Sequence, residues 1–83
     1  MNENEILTKF SEIVFTVLKQ PFEILSLQVD LKRNLGADSM DLVDILEAIE
    51  YEFDIAVSEE KAAAILNVGE AVTVIKELVD AKD

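Results

Sequence analysis

Apolar residues recur at helical spacing along most of the chain, with one interruption. From about Asn4 to Lys19, Ile6, Phe10, Ile13, Val14 and Val17 fall on one face of a helix. Leu7, Phe15 and Leu18 lie off that stripe and are expected to cover a neighbouring loop. Pro21 ends the pattern, because proline cannot extend the hydrogen-bond ladder. Residues 20–37 have no period, yet they hold Phe22, Ile24, Leu25, Leu27, Val29, Leu31 and Leu35. A structureless loop of that length is uncommon inside a compact domain. With this much apolar surface, the segment should pack across the other helices and contain one helical turn. Gly36 suits a backbone position of positive φ before the next element.

The second helix is predicted to start at Asp38, a good N-cap, with Asp41 in a first turn where negative charge suits the helix dipole. Leu42, Ile45, Leu46, Ile49 and Phe53 lie within about 100° of arc and form its buried face. The pattern fades near Asp54. Ser58 can cap a short third helix through about Ile65, with Ala62 and Ile65 turned inward. Asn67 followed by Glu70 fits a capping box, and the last helix carries Val72, Ile75, Leu78 and Val79. No strand, repeat or linker is apparent. The expectation is one domain over residues 1–83, all-α: a four-helix bundle with one short helix and a long first loop.

Size and charge narrow the functions open to such a bundle. A domain this small buries about 60% of the surface its unfolded chain exposes, leaving little room for a deep catalytic cleft. There is no Cys and no His, so disulfides, thiolate metal sites and the commonest general base and metal ligand are all missing. The formal net charge of -11 repels phosphate backbones and anionic membranes and favours basic protein surfaces. Nucleic acid and membrane are therefore not expected partners. The opening Met-Asn-Glu-Asn-Glu has neither the apolar run of a signal peptide nor the arginines of a transit peptide. No apolar run approaches the roughly 18 residues of a membrane span. A cytoplasmic monomer is expected.

The acids are concentrated. Between Arg33 and Lys61 there is no basic residue, while Asp38, Asp41, Asp44, Glu47, Glu50, Glu52, Asp54, Glu59 and Glu60 all fall there. An acidic run is commonly a solvated face. This one is single-signed and forgoes the Glu-to-Lys pairs of an ordinary surface helix. It also keeps Met40, Val43, Ala48 and Tyr51 beside Asp44 and Glu47, and acid around modest apolar anchors is the composition of a protein-binding surface. Ser39 stands at the first helical position after the cap. A phosphate on its hydroxyl would sit beside unpaired N–H groups at the positive end of the dipole. Taken alone, a serine there can equally be an ordinary helix-start residue. No His, Cys or Lys adjoins it to activate it as a nucleophile, so any function is as an acceptor modified by another enzyme.

Leu35-Gly36-Ala37-Asp38-Ser39-Met40-Asp41 resembles the prosthetic-group attachment motif of acyl carrier proteins. Glu52-Phe53-Asp54-Ile55 and Val68-Gly69-Glu70-Ala71-Val72 are similar to later stretches of that family, and the resemblance runs from about Leu31 to Leu78. It implies a non-enzymatic carrier. Ser39, with Asp38 as motif residue and cap, would receive phosphopantetheine from coenzyme A through a phosphopantetheinyl transferase. The arm's thiol would then hold acyl groups as thioesters for enzymes of fatty-acid or related acyl and polyketide synthesis. Met40, Asp41, Val43, Asp44, Glu47 and Glu50 would lie on the helix those basic-surfaced enzymes grip. The acyl chain would fold back among Leu42, Leu46, Ile49 and Phe53 on one side and Ala62, Ile65 and Ile75 on the other, where alanine leaves space. No metal is implied.

Arg33 and Asn34 stand where the family commonly has acids, Ser58 where proline is common, Ala63 and Ala64 thin the charge of the third helix, and Leu66-Asn67 replaces a Thr-rich pair. General fatty-acid carrier and dedicated carrier both remain open. Peptidyl carriers more often have Gly-Gly where this chain has Gly36-Ala37, and a D-alanyl carrier fits the Leu-Gly-Ala lead-in less well. An unmodified acidic interaction module is the alternative of another class. A calcium loop would need alternate-residue acids around a central Gly, which this chain lacks.

Overall fold

The computed structural model describes residues 1–82. Five α-helices follow one another: α1 (Glu3–Leu18), α2 (Leu31–Leu35), α3 (Ser39–Phe53), α4 (Glu59–Ala63) and α5 (Val68–Ala81), with a 3₁₀ turn, Ala64–Leu66, between the last two. The three long helices pack around a core of Ile6, Phe10, Val14, Ile45, Ile49 and Ile75, all without solvent exposure. The all-α bundle expected from the pattern is the fold. The turn anticipated in the first loop is α2, and the short helix ends at Ala63 and tightens into the 3₁₀ turn.

α1 starts from Asn2, whose side chain accepts from the Glu5 N–H while the Glu5 carboxylate accepts from the Asn2 N–H. It stops at Lys19 in the left-handed conformation, φ 57°, two residues ahead of Pro21. Its buried face is wider than the stripe suggests. Phe15 and Ser11 are buried, whereas Ile13 and Val17 are half-buried. The cause is the loop of residues 20–30, which folds onto that side of α1. The buried Leu25 N–H donates to Ser11 Oγ at 3.0 Å, and Ser11 donates to the Leu7 carbonyl at 2.8 Å.

The far end of the same loop lies on the start of α5. Val68 N–H donates to the Val29 carbonyl and Gly69 N–H to the Leu27 carbonyl, both at 3.0 Å. Two N–H groups that a helix start leaves open are thus closed by main chain. Asn67 caps Glu70 N–H at 3.2 Å, but Glu70 does not return a bond to Asn67, so only half of the expected capping box forms. The Asn67 backbone pairs instead with Asp30. A β-carbon at Gly69 would stand 3.1 Å from the Leu27 carbonyl oxygen, so this glycine is what lets the loop come so close.

Ser11→Ala is expected to destabilise the fold by about 1–3 kcal/mol, because it strands the buried Leu25 N–H. The gain in helix propensity, at most about 0.5 kcal/mol, does not offset this. Urea unfolding of both chains measures the difference. Equal midpoints would mean that the loop is held by its side chains alone.

Candidate functional site

α2 ends at Gly36, φ 73°, a conformation a side chain would strain. Gly36 N–H donates to the Lys32 carbonyl at 3.2 Å and Ala37 N–H to the Leu31 carbonyl at 3.0 Å. Ala37 is buried, so the three-residue link to α3 is fixed at both its ends. Asp38 then caps α3. Asp41 N–H donates to Asp38 Oδ1 at 2.8 Å, and Asp38 N–H donates to Asp41 Oδ2 at 3.1 Å. Ser39 follows as the first residue of α3 and is exposed. Its hydroxyl makes no hydrogen bond among the described residues, and neither its own N–H nor that of Met40 is taken up by a cap. A rigid helix start, an accessible hydroxyl and free N–H groups together form a place where a phosphodiester fits.

Met40, Val43, Asp44 and Glu47 are all exposed on α3. Met40 is 71% exposed and Tyr51, farther along the same face, 89%, which is far more than either side chain needs for its polar atoms. Asp44 and Glu47 join no ion pair among the described residues, whereas Glu52 pairs with Lys9 at 3.2 Å and Asp54 with Lys82 at 3.7 Å. Two of the six residues expected on the partner face are engaged otherwise. Asp41 is held in the cap, and Glu50 Oε2 accepts from the Val57 N–H at 2.9 Å, tying down the turn after α3. The helical period places Glu50 on the surface, but only the course of the chain after Phe53 brings Val57 back to it.

A cavity of about 310 Å³ lies between the first turns of α3 and the α4–3₁₀ segment, lined by Leu42, Val43, Leu46, Glu59, Ala62, Ala63, Ile65 and Leu66. Leu42 and Val43 are three and four residues beyond Ser39, so they share its face roughly one turn, about 5 Å, along the helix. Leu42, Leu46, Ala62 and Ile65 were expected together and are together. Ile49, Phe53 and Ile75 do not line this space. They are buried in the core beneath it. Ile49 and Phe53 have the right angle on α3 but lie farther along it than the lining residues Leu42, Val43 and Leu46, and α4, the facing element, has only five residues. Val43, Glu59, Ala63 and Leu66 complete the lining. The replacement of charged and threonine positions by Ala63 and Leu66 was the available signal.

The family described as "phosphopantetheine attachment site" matches residues 8–75 of the chain. "Acyl carrier protein 3" of Ralstonia nicotianae is 34% identical over 76 residues, 92% of this chain and 87% of that protein. The chain belongs to the acyl carrier protein family. A chloroplastic acyl carrier protein of Brassica napus is 55% identical over 49 residues, 59% of this chain, but the chain spans only 37% of that relative's length. The crystal structure of the Thermotoga maritima acyl carrier protein superposes with a TM-score of 0.84 over 100% of this chain and 96% of that one, at 24% identity, so the two share the fold. The cofactor of this acyl carrier protein is phosphopantetheine.

Proposed function

We propose that Ser39 bears the phosphopantetheine arm and that the chain delivers acyl thioesters to enzymes of fatty-acid or related acyl synthesis. The observation that carries this is the exposed, unbonded Ser39 hydroxyl at a doubly capped helix start, one turn from the apolar cavity. The arm supplies the thiol that a chain without cysteine lacks. The protein's own part is to present Ser39 rigidly and to shelter cargo between α3 and α4. It is a substrate of its partners, with no His or Cys anywhere to run chemistry of its own. Among the described residues no helix is long and apolar enough to cross a membrane, in keeping with a cytoplasmic carrier. Incubating the chain with coenzyme A and a phosphopantetheinyl transferase tests the reading by intact mass. One added arm supports it, and an unchanged mass overturns it.

Asp44 and Glu47 are the carboxylates of α3 left free to steer enzymes with basic surfaces. Asp44→Lys and Glu47→Lys should each slow transferase association several-fold while changing dissociation less. The loss should shrink with added salt, since screening acts over about 8–10 Å near physiological ionic strength. Stopped-flow association at two salt concentrations reads this directly. Unchanged rates at low salt would take the face out of recognition.

A further inference from the structure

The chain has seven basic residues against eighteen acidic ones. Some of these cations find an acidic partner. Lys9, Lys61, Lys76 and Lys82 each do, with Glu52, Glu77, Asp80 and Asp54 respectively. Lys19, at the end of α1, does not, and neither do Lys32 and Arg33, the two cations just ahead of Ser39 in the chain. Both are exposed on α2, and neither side chain joins an ion pair or donates a hydrogen bond among the described residues.

Their position is fixed. Leu31 is fully buried, Asp30 accepts from the Arg33 N–H at 2.8 Å, and the backbone bonds of Gly36 and Ala37 join α2 to the start of α3. Ser39 lies six positions after Arg33, so their α-carbons are at most about 20 Å apart. An enzyme acting at Ser39 covers roughly 800 Å² of the carrier, a disc of about 16 Å radius. With the reach of an arginine side chain added, such a footprint is wide enough to take in α2 as well as the first turns of α3.

We propose that Lys32 and Arg33 form a cationic flank of the docking face, and that the enzyme modifying Ser39 meets them with an acidic surface beside the basic one that meets Asp44 and Glu47. The inference rests on the reading of Ser39 as the attachment site. A face of one sign would attract any basic surface. A face with acid on α3 and base on α2 fixes orientation and rejects basic partners that lack the acidic border.

The two cations also suit the C-terminal end of α2, where positive charge offsets the helix dipole. The two roles predict opposite signs. Lys32→Gln/Arg33→Gln makes an already acidic carrier two charges more negative. If the cations serve α2 alone, a basic transferase should load the variant as fast as wild type or faster. If they contact acid on the enzyme, loading should slow despite the stronger overall attraction.

The test uses the full chain and the phosphopantetheinyl transferase of the same genome, with coenzyme A, measuring kcat/KM for the carrier. At low ionic strength the double variant is expected to fall about fivefold, and the gap should close as salt rises. A rate equal to or above wild type overturns the proposal. So does a slow rate that persists in high salt, which would mark a distorted α2 and not a lost ion contact. Lys32→Arg/Arg33→Lys, which keeps both charges, should load like wild type. Failure of wild type itself to gain mass would instead remove the Ser39 reading, a separate result.

Discussion

Ser39→Ala is expected to abolish the mass gain with coenzyme A and transferase completely, while leaving stability within about 0.5 kcal/mol of wild type. The two halves have separate reasons. No other serine offers an equivalent hydroxyl: Ser11 is buried with both its hydrogen bonds in use, Ser58 Oγ caps α4 by accepting from the Lys61 N–H at 3.3 Å, and Ser26 is bonded to Gln28 in the first loop. Only Ser39 is exposed at the start of a long helix without a structural bond to break. Stability is spared because capping of α3 is done by Asp38 and Asp41, and alanine is a good helix former at the first position. Intact mass after exhaustive loading, with thermal unfolding alongside, reads both. A mutant that still takes up one arm would move the attachment site elsewhere, and a mutant that unfolds would show that the hydroxyl carries a structural bond.

Period and capping chemistry are local properties, and what depends on them alone was legible in the chain. The buried residues Ile6, Phe10 and Val14 of α1, and Ile45, Ile49 and Phe53 of α3, repeat every four residues and could be placed on their faces directly. Asp38, Ser58 and Asn67 were identifiable as caps because each is a short polar side chain placed just before an apolar period. The aperiodic first loop was harder. Its apolar residues are committed by contacts distant in sequence, Leu25 to Ser11 and Leu27 to Gly69, and nothing within residues 20–30 specifies those partners. The same limit applies to the site. Ser39 and the exposed acids of α3 follow from position on one helix, whereas the diversion of Glu50 to Val57 and the exclusion of Ile49, Phe53 and Ile75 from the cavity depend on where the chain returns after α3.

That return also decides how the cavity can work. α4 has no buried residue, is followed at once by a 3₁₀ turn, and is tied to α5 by the exposed Lys61–Glu77 pair at 3.2 Å. An exposed pair of this kind contributes little. Elements with few buried contacts are those that open at low free-energy cost. The wall formed by Ala62 and Ala63 is therefore the side of the cavity free to yield, while Leu42 and Leu46 are held by α3.

An acyl chain on Ser39 is accordingly expected to enter between Val43 and Glu59 and to stabilise the fold in proportion to its length. Each methylene taken from water contributes up to about 0.8 kcal/mol, less the cost of moving α4. For a domain of this size 1 kcal/mol corresponds to about 4–8 °C in Tm. Two or three added methylenes should thus raise the midpoint by several degrees, until the space is full and further carbons change nothing. Ala62→Leu occupies part of the cavity in advance, so it should raise the stability of the unacylated arm-bearing form and bring the plateau at a shorter chain. The measurement is thermal unfolding of the holo form and of a series of acylated forms, in wild type and in Ala62→Leu. A midpoint independent of chain length in wild type would place the cargo in solvent. A plateau at the same length in both proteins would place it inside the bundle but away from Ala62, and the cavity between α3 and α4 would then have another use.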